Sequence, residues 1–385
     1  MVFIVFSLVV LGATALPLIM VLRNLPLFQF AYESKPTVVG EGHSPSVAVL
    51  VPARNEADKI ERSLAHLLKN QRSHLKFVVL DDHSEDSTPE IVERLAKSDP
   101  RLRLESSEAL PAGWNGKQHA CWQLANRVED EVLIFLDADV EVEPDFVERC
   151  VSELGRRESS LVSGFPEQRL GSFGEQLLIP MMHYVLLGYL PIDQMRASAK
   201  PEFGAGCGQL FIARREDYLE CGGHREIAAS RHDGLKLPRV FRSAGLKTDL
   251  FDASDIAAVR MYVGFSEVVN GLLKNATEGI ARWPLIGIFS FLLLFGSVIP
   301  PLTLAHALFY GWPWSDRARL IATLVVAASM LLSLMTPFLL ARRFQRSVWT
   351  TALHPLSVAA FVALQWVAFA REKVGKAPVS WKGRS

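Results

Sequence analysis

Five apolar residues, Val132 to Leu136, run directly into Asp137-Ala138-Asp139. The run reads as a strand buried on both faces, and the two-residue period of a strand turns both carboxylates the same way at its carboxyl end. In an open parallel sheet that end borders the ligand crevice. Two carboxylates there, with Ala138 leaving room, can share a divalent cation that keeps its other positions for water and phosphate oxygens. The competing reading is a strand followed by a solvated acidic turn, because Glu141, Glu143 and Asp145 follow. Two other apolar runs also end in acids. Ser46–Val51 passes into Pro52-Ala-Arg54-Asn-Glu56, and Phe77–Leu80 passes into Asp81-Asp82-His-Ser-Glu-Asp-Ser-Thr88. Three acidic strand ends on one rim repel one another unless a cation or a donor-rich ligand sits among them. A nucleotide meets both needs: base and ribose offer N–H and O–H donors, and the diphosphate demands cations. Between the second and third acidic ends, Gly113, Gly116 and Lys117 open a helix, which suits contact with phosphate as well as it suits an ordinary loop. No Gly-x-Gly-x-x-Gly follows the first strand and no Walker lysine motif occurs, which excludes a dinucleotide dehydrogenase and a P-loop enzyme.

The elements that must position these groups alternate. A helix is expected from about Ala57 to Asn70, with Ile60, Leu64, Leu67 and Leu68 on one face. Ser87 or Thr88 can cap a second helix starting at Pro89, and Arg101 to Glu105 reads as the third strand. Strand and helix in turn imply right-handed crossovers and a parallel sheet, an α/β domain. Further on, Leu177 to Ile192 is apolar and uncharged, yet at 16 residues with Pro180, Gly188 and Pro191 it is short for a membrane span. It reads either as a segment lying on the bilayer that leads a lipid to the crevice, or as a buried core helix.

At 385 residues the chain has room for two or three domains, and 41 Lys plus Arg against 41 Asp plus Glu give no charge that argues for nucleic acid. The 49% hydrophobic content gathers at the two ends. Met1 to Leu22 is uncharged and stops at Arg23, which favours a retained anchor over a cleaved signal peptide. Pro284–Ser315, Leu320–Ala341 and Ser347–Ala370 are each charge-free and longer than the ~20 residues of a span. Pro300-Pro301 would make the first of them a broken or re-entrant helix. Trp312, Trp314, Trp349 and Trp366 suit interfacial anchoring. Arg342, Arg343 and Arg346 place their loop, and by counting back the middle of the chain, in the cytoplasm. Counting forward puts Arg371, Lys373, Lys376, Lys382 and Arg384 outside against the same rule, so one C-terminal segment is expected not to cross fully. The four cysteines, Cys121, Cys150, Cys207 and Cys221, lack metal-ligand spacing and read as isolated thiols in a reducing compartment. The expected organisation is an anchor at 1–23, a linker at 24–45, a catalytic domain at 46–265, an interfacial segment at 266–283, a membrane region of two or three spans at 284–370 and a basic tail at 371–385.

Pro-Ala-Arg-Asn-Glu, Asp-Asp-His-Ser-Glu-Asp-Ser-Thr, Gly-Lys-x-x-Ala and Asp-Ala-Asp, in this order, resemble a family 2 glycosyltransferase with the GT-A fold. The resemblance runs from about Val47 to Trp283. Leu110-Pro-x-Gly-Trp-x-Gly-Lys117, Gly204-Ala-Gly-Cys-Gly-Gln209 and Lys274-Asn-Ala-Thr-Glu-Gly279 are similar to the hopene-associated glycosyltransferases, with carotenoid and ceramide glycosyltransferases next. The resemblance implies a Rossmann-like nucleotide-diphospho-sugar domain with a mostly parallel sheet, anchored in the cell inner membrane and facing the cytoplasm. It implies donor binding, foremost of a UDP-sugar, by Pro52, Arg54, Glu56, Asp81, Asp82, Lys117 and Asp137, and a Mg or Mn ion on Asp137 and Asp139.

Within Arg231–Gly245, Asp233 takes the position of the family's catalytic base, and His232 stands where the family has a glutamate. On pattern alone a helix N-terminal acid stabilised by the dipole is the favoured reading of Asp233, and His232 is a turn residue, a neighbour tuning Asp233 or a metal contact. Gly206, Gly208, Gln209, His232, Arg239, Arg282 and Trp283 are candidates for the acceptor side. Gly279 fills the first position of the motif that processive relatives carry ahead of Arg282-Trp283, which fits transfer of a single sugar. The implied acceptor is a hydrophobic lipid, a hopanoid, with a carotenoid, sphingolipid or polyprenyl phosphate as alternatives. A non-catalytic membrane scaffold is the reading of another class.

Overall fold

Val47–Ala53 forms strand β1, and every residue of it is buried, as its uninterrupted apolar sequence demands. The computed structural model describes residues 2–31, 44–310 and 316–375. The expected linker residues 32–43, Trp312, Trp314 and the tail beyond 375, with Lys376, Lys382 and Arg384, lie outside them. The remaining strands are β2 Leu75–Asp81, β3 Leu102–Ser106, β4 Val132–Leu136, β5 Glu141–Val142, β6 Leu161–Phe165, β7 Glu167–Gln168, β8 Leu210–Arg214, β9 Thr248–Asp252 and β10 Ala257–Val259. Seven of them form one sheet in the order β3-β2-β1-β4-β8-β6-β9, and β5, β10 and β7 form a small second sheet. The large sheet is parallel except for β8, which runs antiparallel to β4 and β6. This is the expected α/β arrangement with its mostly parallel sheet.

Helices cover both faces of the sheet. Ile60, Leu64 and Leu67 of the helix Ile60–Leu67 pack with Val49, Val51, Phe77 and Ile134 on one face. On the other, Ala120 and Leu124 of the helix Gly116–Asn126 pack with Leu237 and Phe241 of the helix Asp233–Ser243. The helix expected from Ala57 begins only at Ile60, because residues 57–59 form a turn that lets the chain leave β1. Thr88 does not act as the second helix's cap. Its hydroxyl accepts the Glu56 N–H at 2.8 Å, tying the first two acidic loops together.

The chain divides into two units. Phe28–Arg169 and Asp193–Met261 hold the sheets and their helices, while Met1–Leu27, Leu170–Ile192 and Tyr262–Pro378 hold the apolar helices. Leu170–Ile192 therefore interrupts the span expected for the catalytic domain. Leu177, Leu178, Met181, Tyr184 and Leu187 are buried, so this stretch is a core element and not a segment presented to the bilayer. Asn24, fully buried at the end of the helix Val2–Asn24, fixes it there. Its side-chain amide donates to the carbonyls of Leu187 and Leu190 at 2.8 and 2.7 Å, and its oxygen accepts the Ile192 N–H.

Among the described residues three helices are long and apolar enough to cross a membrane: Val5–Asn24, Leu285–Tyr310 and Leu320–Arg343. Pro300-Pro301 does not break the second. The π-helical turn Leu294–Val298 lies just ahead of the two prolines, and the helix continues through them to Tyr310. The last apolar stretch is divided into a short helix, Trp349–Ala352, and His354–Lys373.

Candidate donor and catalytic site

The register of the sheet brings the acidic loops to one level. Ala53 pairs with Asp81, so β1 and β2 end together, and Leu136 pairs with Leu210, so Asp137 leaves β4 beside the residue that enters β8. The Asp137 N–H donates to the Gln209 carbonyl at 3.1 Å, which sets the Asp137–Val140 turn against the glycine loop 204–209.

The first two loops are latched by Arg54, which the sequence assigns to the donor, and by Asn55, which it does not assign. The Arg54 guanidinium donates to the carbonyls of Asp82 and His83, both at 2.6 Å, and pairs with Glu85 at 3.1 Å. The Asn55 N–H donates to the Ser84 hydroxyl, and its side-chain oxygen accepts the Glu85 N–H at 2.8 Å. Pro52 is buried inside β1 opposite Leu80 and not at the strand's mouth. Arg54 and Pro52 thus shape the rim, with Glu56, Asp81 and Asp82 around it. One carboxylate oxygen of Asp81 accepts the Ser84 N–H at 3.1 Å, while its buried Oδ1 has no protein partner and remains for a ligand's donor.

At the centre stands Lys117, on the first turn of a helix capped by Asn115, whose side chain accepts the Lys117 N–H. Its Nζ lies 2.7 Å from Asp137 Oδ1, 2.9 Å from Asp233 Oδ2 and 3.0 Å from the Gly208 carbonyl. Five predicted residues from four separate loops, Lys117, Asp137, Asp233, Gly208 and Gln209, therefore meet in one place. Asp137 and Asp233 raise Lys117 well above the ordinary lysine value in spite of its burial. Burial pushes Asp137 up to about 6, opposed by Lys117 and reinforced by the charges of Asp139 and Asp233. Burial acts on Asp233 too, but there the Lys117 charge and hydrogen bond prevail and hold its carboxyl below the usual range. One ammonium thus serves two carboxylates unequally, leaving Asp233 the more firmly ionised.

Asp233 begins its helix, and its Oδ1 accepts the following Gly234 N–H at 2.8 Å. His232 sits at the helix cap and donates its N–H to the Ser230 hydroxyl. The glycines beside Asp233 are steric requirements. A Cβ on Gly208 would stand 2.0 Å from Asp233 Oδ1, and one on Gly206 would stand 2.9 Å from the Ser163 side chain. Arg239 backs the same loop from the helix, its Cγ 2.7 Å from where a Gly204 Cβ would be. Gln209 is turned inward, accepting from Gln168 at 2.8 Å, so its side chain holds the loop's shape. Arg282 and Trp283 belong to the other unit, where Trp283 is 73% exposed.

Two further residues that the sequence does not single out adjoin these groups. The Ser163 hydroxyl in β6 accepts the Cys207 N–H at 2.7 Å and anchors the glycine loop. A lone serine in an apolar strand carries no signal of this role. Lys59 places its Nζ 3.1 Å from Asp139 Oδ2. Its spacing, three residues after Glu56 at a helix start, was the available clue.

Asp137 and Asp139 are hard oxygen donors suited to Mg or Mn. Among the described residues no three His, Cys, Asp or Glu side chains gather closely enough to hold a metal by themselves. The pair fits a cation that draws its remaining ligands from a diphosphate and water, and does not form an all-protein cage.

The sheet order, the single antiparallel strand and a crevice at the strand ends define a GT-A fold. Residues 48–222, a little under half of the chain, match the profile of Glycosyl transferase family 2, so this part of the chain is a family 2 glycosyltransferase domain. Over 372 residues it is 27% identical to the 4,4'-diaponeurosporenoate glycosyltransferase of Staphylococcus aureus (strain USA300), covering 93% of this chain and 92% of that protein. The 4,4'-diaponeurosporenoate glycosyltransferase of Staphylococcus haemolyticus (strain JCSC1435) is 25% identical over 237 residues, and the match spans 62% of its length and 61% of this chain. The fold is similar to that of mannosyltransferase PcManGT from Pyrobaculum calidifontis in complex with GDP-Man and Mn2+. That likeness has a TM-score of 0.51 and 20% identity, over 97% of this chain and 100% of that one.

Proposed function

We propose that this protein transfers one sugar from a nucleotide-diphospho donor to an isoprenoid lipid at a membrane surface. The observation that carries the chemistry is the bridge of Lys117 between Asp137 and Asp233. Asp137, Asp139, Asp82 and Glu56 form the donor rim, foremost for a UDP-sugar. A Mg or Mn ion on Asp137 and Asp139 would supply Lewis-acid stabilisation of the departing nucleoside diphosphate. A diphosphate entering the site competes for the Lys117 ammonium. As Lys117 turns to it, Asp233 regains basicity, so the base strengthens once the donor is in place. Asp233 then accepts the proton of the acceptor hydroxyl, the oxygen attacks the anomeric carbon, and the bond from that carbon to the diphosphate breaks, inverting the configuration.

The acceptor class rests on the relatives. They favour a carotenoid-type lipid over the hopanoid that the short motifs suggest, and the S. aureus match spans nearly the whole of both chains, apolar helices included. Membrane residence is supported by the three candidate spans and by the helix Gly264–Ala276, which buries only Val268 and Ala276 and leaves Phe265 57% exposed. The basic loop at Arg342–Arg346 favours a catalytic domain facing the cytoplasm.

The test is transfer by the detergent-purified protein with Mn2+ and UDP-, GDP- or TDP-sugars, offering carotenoid and hopanoid acceptors together and following lipid products by mass spectrometry. One glycosylated lipid, absent in folded Asp139→Ala and Asp233→Ala variants, supports the reading. Preference for the hopanoid would restore the first acceptor assignment, and no transfer from any donor would leave the non-catalytic scaffold.

A further inference from the structure

A second polar site lies among the apolar helices. There the helix Met181–Tyr189, the end of Asp316–Arg343 and the start of His354–Lys373 enclose a cavity of ≈30 Å³. Gln176, His183, Arg346, Thr350, His354 and Ser357 supply its polar wall, and the last turns of Asp316–Arg343 supply an apolar one. Among the described residues no Asp or Glu lines it.

The chain is shaped to bring cations here. After Arg343, Gln345 adopts φ +51°, and the Arg346 N–H returns to the Ala341 carbonyl at 2.7 Å, reversing the chain at the helix end. The Arg346 guanidinium reaches 3.4 Å from His183 Nδ1 instead of extending away from the helices. Arg343 and Arg346 both stand over the Phe344 ring, at 5.6 and 5.9 Å, and that ring lies 3.9 Å from the His183 ring. His183 and His354 are 3% and 5% exposed, and His354 is held by Ser297, which also meets the Tyr184 hydroxyl at 3.1 Å.

The Arg346 guanidinium and the donors beside it, on a cavity that no carboxylate lines among the described residues, make it a receptor for an anion. Its position at the basic end of a candidate span, with an apolar wall beside it, is that of pockets between helices that take charged lipid heads. We propose that this cavity binds the oxyanion head of an amphiphile, a phosphate or carboxylate on an apolar chain, with Arg346, His183 and His354 around its oxygens. The site stands independently of the sugar-transfer reading.

The experiment is thermal unfolding of the full-length protein in dodecyl maltoside, titrated with phosphatidylglycerol, oleate, neutral diacylglycerol or inorganic phosphate. Phosphatidylglycerol or oleate should raise the midpoint saturably by about 3–8 °C. Arg346→Gln should abolish the shift and Arg346→Lys should keep part of it. A response to phosphatidylglycerol alone assigns a phospholipid, and a response to oleate alone assigns a lipid acid. Equal shifts from diacylglycerol, a full shift in Arg346→Gln, or no shift at all overturns the site, and an equal shift from inorganic phosphate overturns the need for a chain. If Arg346→Gln does not fold, His183→Asn replaces it, with loss of most of the shift expected and an unchanged shift counting against the site.

Discussion

Gly208 faces Asp233 so closely that a Cβ on the glycine would stand 2.0 Å from the aspartate's Oδ1. The Asp233 carboxylate and the glycine loop are therefore one packed unit. Gly208→Ala should push Asp233 away from its position, lowering kcat by about 10²-fold or more, as loss of a positioned base does. Donor affinity should change little. Steady-state kinetics beside a donor-binding titration checks this, and an unchanged kcat would rule out the assignment of Asp233.

Lys59 Nζ pairs with Asp139 Oδ2 at 3.1 Å and would compete with a cation for that carboxylate. Mn2+ alone should bind weakly, and at least about tenfold more tightly with a nucleoside diphosphate present, since the protein offers only two carboxylates and the diphosphate completes the shell. Lys59→Gln removes the competing ammonium. A partly exposed pair of this kind is modest in strength, so the Mn2+ dissociation constant should fall about two- to fivefold. Electron paramagnetic resonance of free Mn2+ measures both quantities without turnover, and weaker metal binding in Lys59→Gln would contradict the competition.

His224 is 1% exposed, and its Nδ1 meets the Tyr218 hydroxyl at 2.8 Å. Burial lowers its pKa to about 3. Between the unfolded value of about 6.5 and that folded value, the unfolded chain binds a proton that the folded chain does not, so stability falls as the pH drops. The slope attributable to this residue is at most about 1.4 kcal/mol per pH unit. Unfolding midpoints measured from pH 7 to 4 should fall less steeply in His224→Gln than in the parent, and parallel curves would show that His224 is not responsible.

Asn24 satisfies three backbone groups of the segment from Leu187 to Ile192. Asn24→Ala leaves them buried and unmet, a loss of about 1–3 kcal/mol. Asn24→Asp keeps the shape, removes both donors and should be no better. Thermal unfolding in detergent reads the difference, and a stable Asn24→Asp protein would show that the amide's hydrogen bonds are not what fixes the segment.

Sequence revealed the parts of this molecule whose burial is complete. β1 and β4 are apolar throughout because both faces of the sheet are covered, and their acidic ends stand out against that apolar run. The direction of β8 was not legible, since a buried strand reads the same parallel or antiparallel. Arg54 was legible as a loop residue but not as a latch, because its partners are carbonyls that any sequence would provide. Leu177–Ile192 remained two-valued for a physical reason: an apolar helix looks alike whether protein or lipid covers it, and only Asn24, distant in sequence, decides between them. The Lys117 bridge was half legible. Each residue belonged to a motif, while their meeting depends on the register that sets Asp137 beside Gln209.

The short run from Phe28 to Ala31 lies along β9, the last strand of the large sheet. The Asp252 N–H donates to the Gln29 carbonyl at 2.9 Å, the Ala31 N–H returns to the Asp252 carbonyl at 3.2 Å, and the Phe28 ring packs against Phe165 at 5.6 Å. These few residues shield a sheet border that would otherwise invite pairing with another molecule. Anyone trimming the gene to obtain a water-soluble fragment would naturally start at Ser46, where the catalytic motifs begin. Such a fragment would keep every reactive side chain and lose the strip that closes the sheet, so its expected failing is self-association in the test tube and not lost chemistry. Starting the fragment at Phe28 would retain that cover.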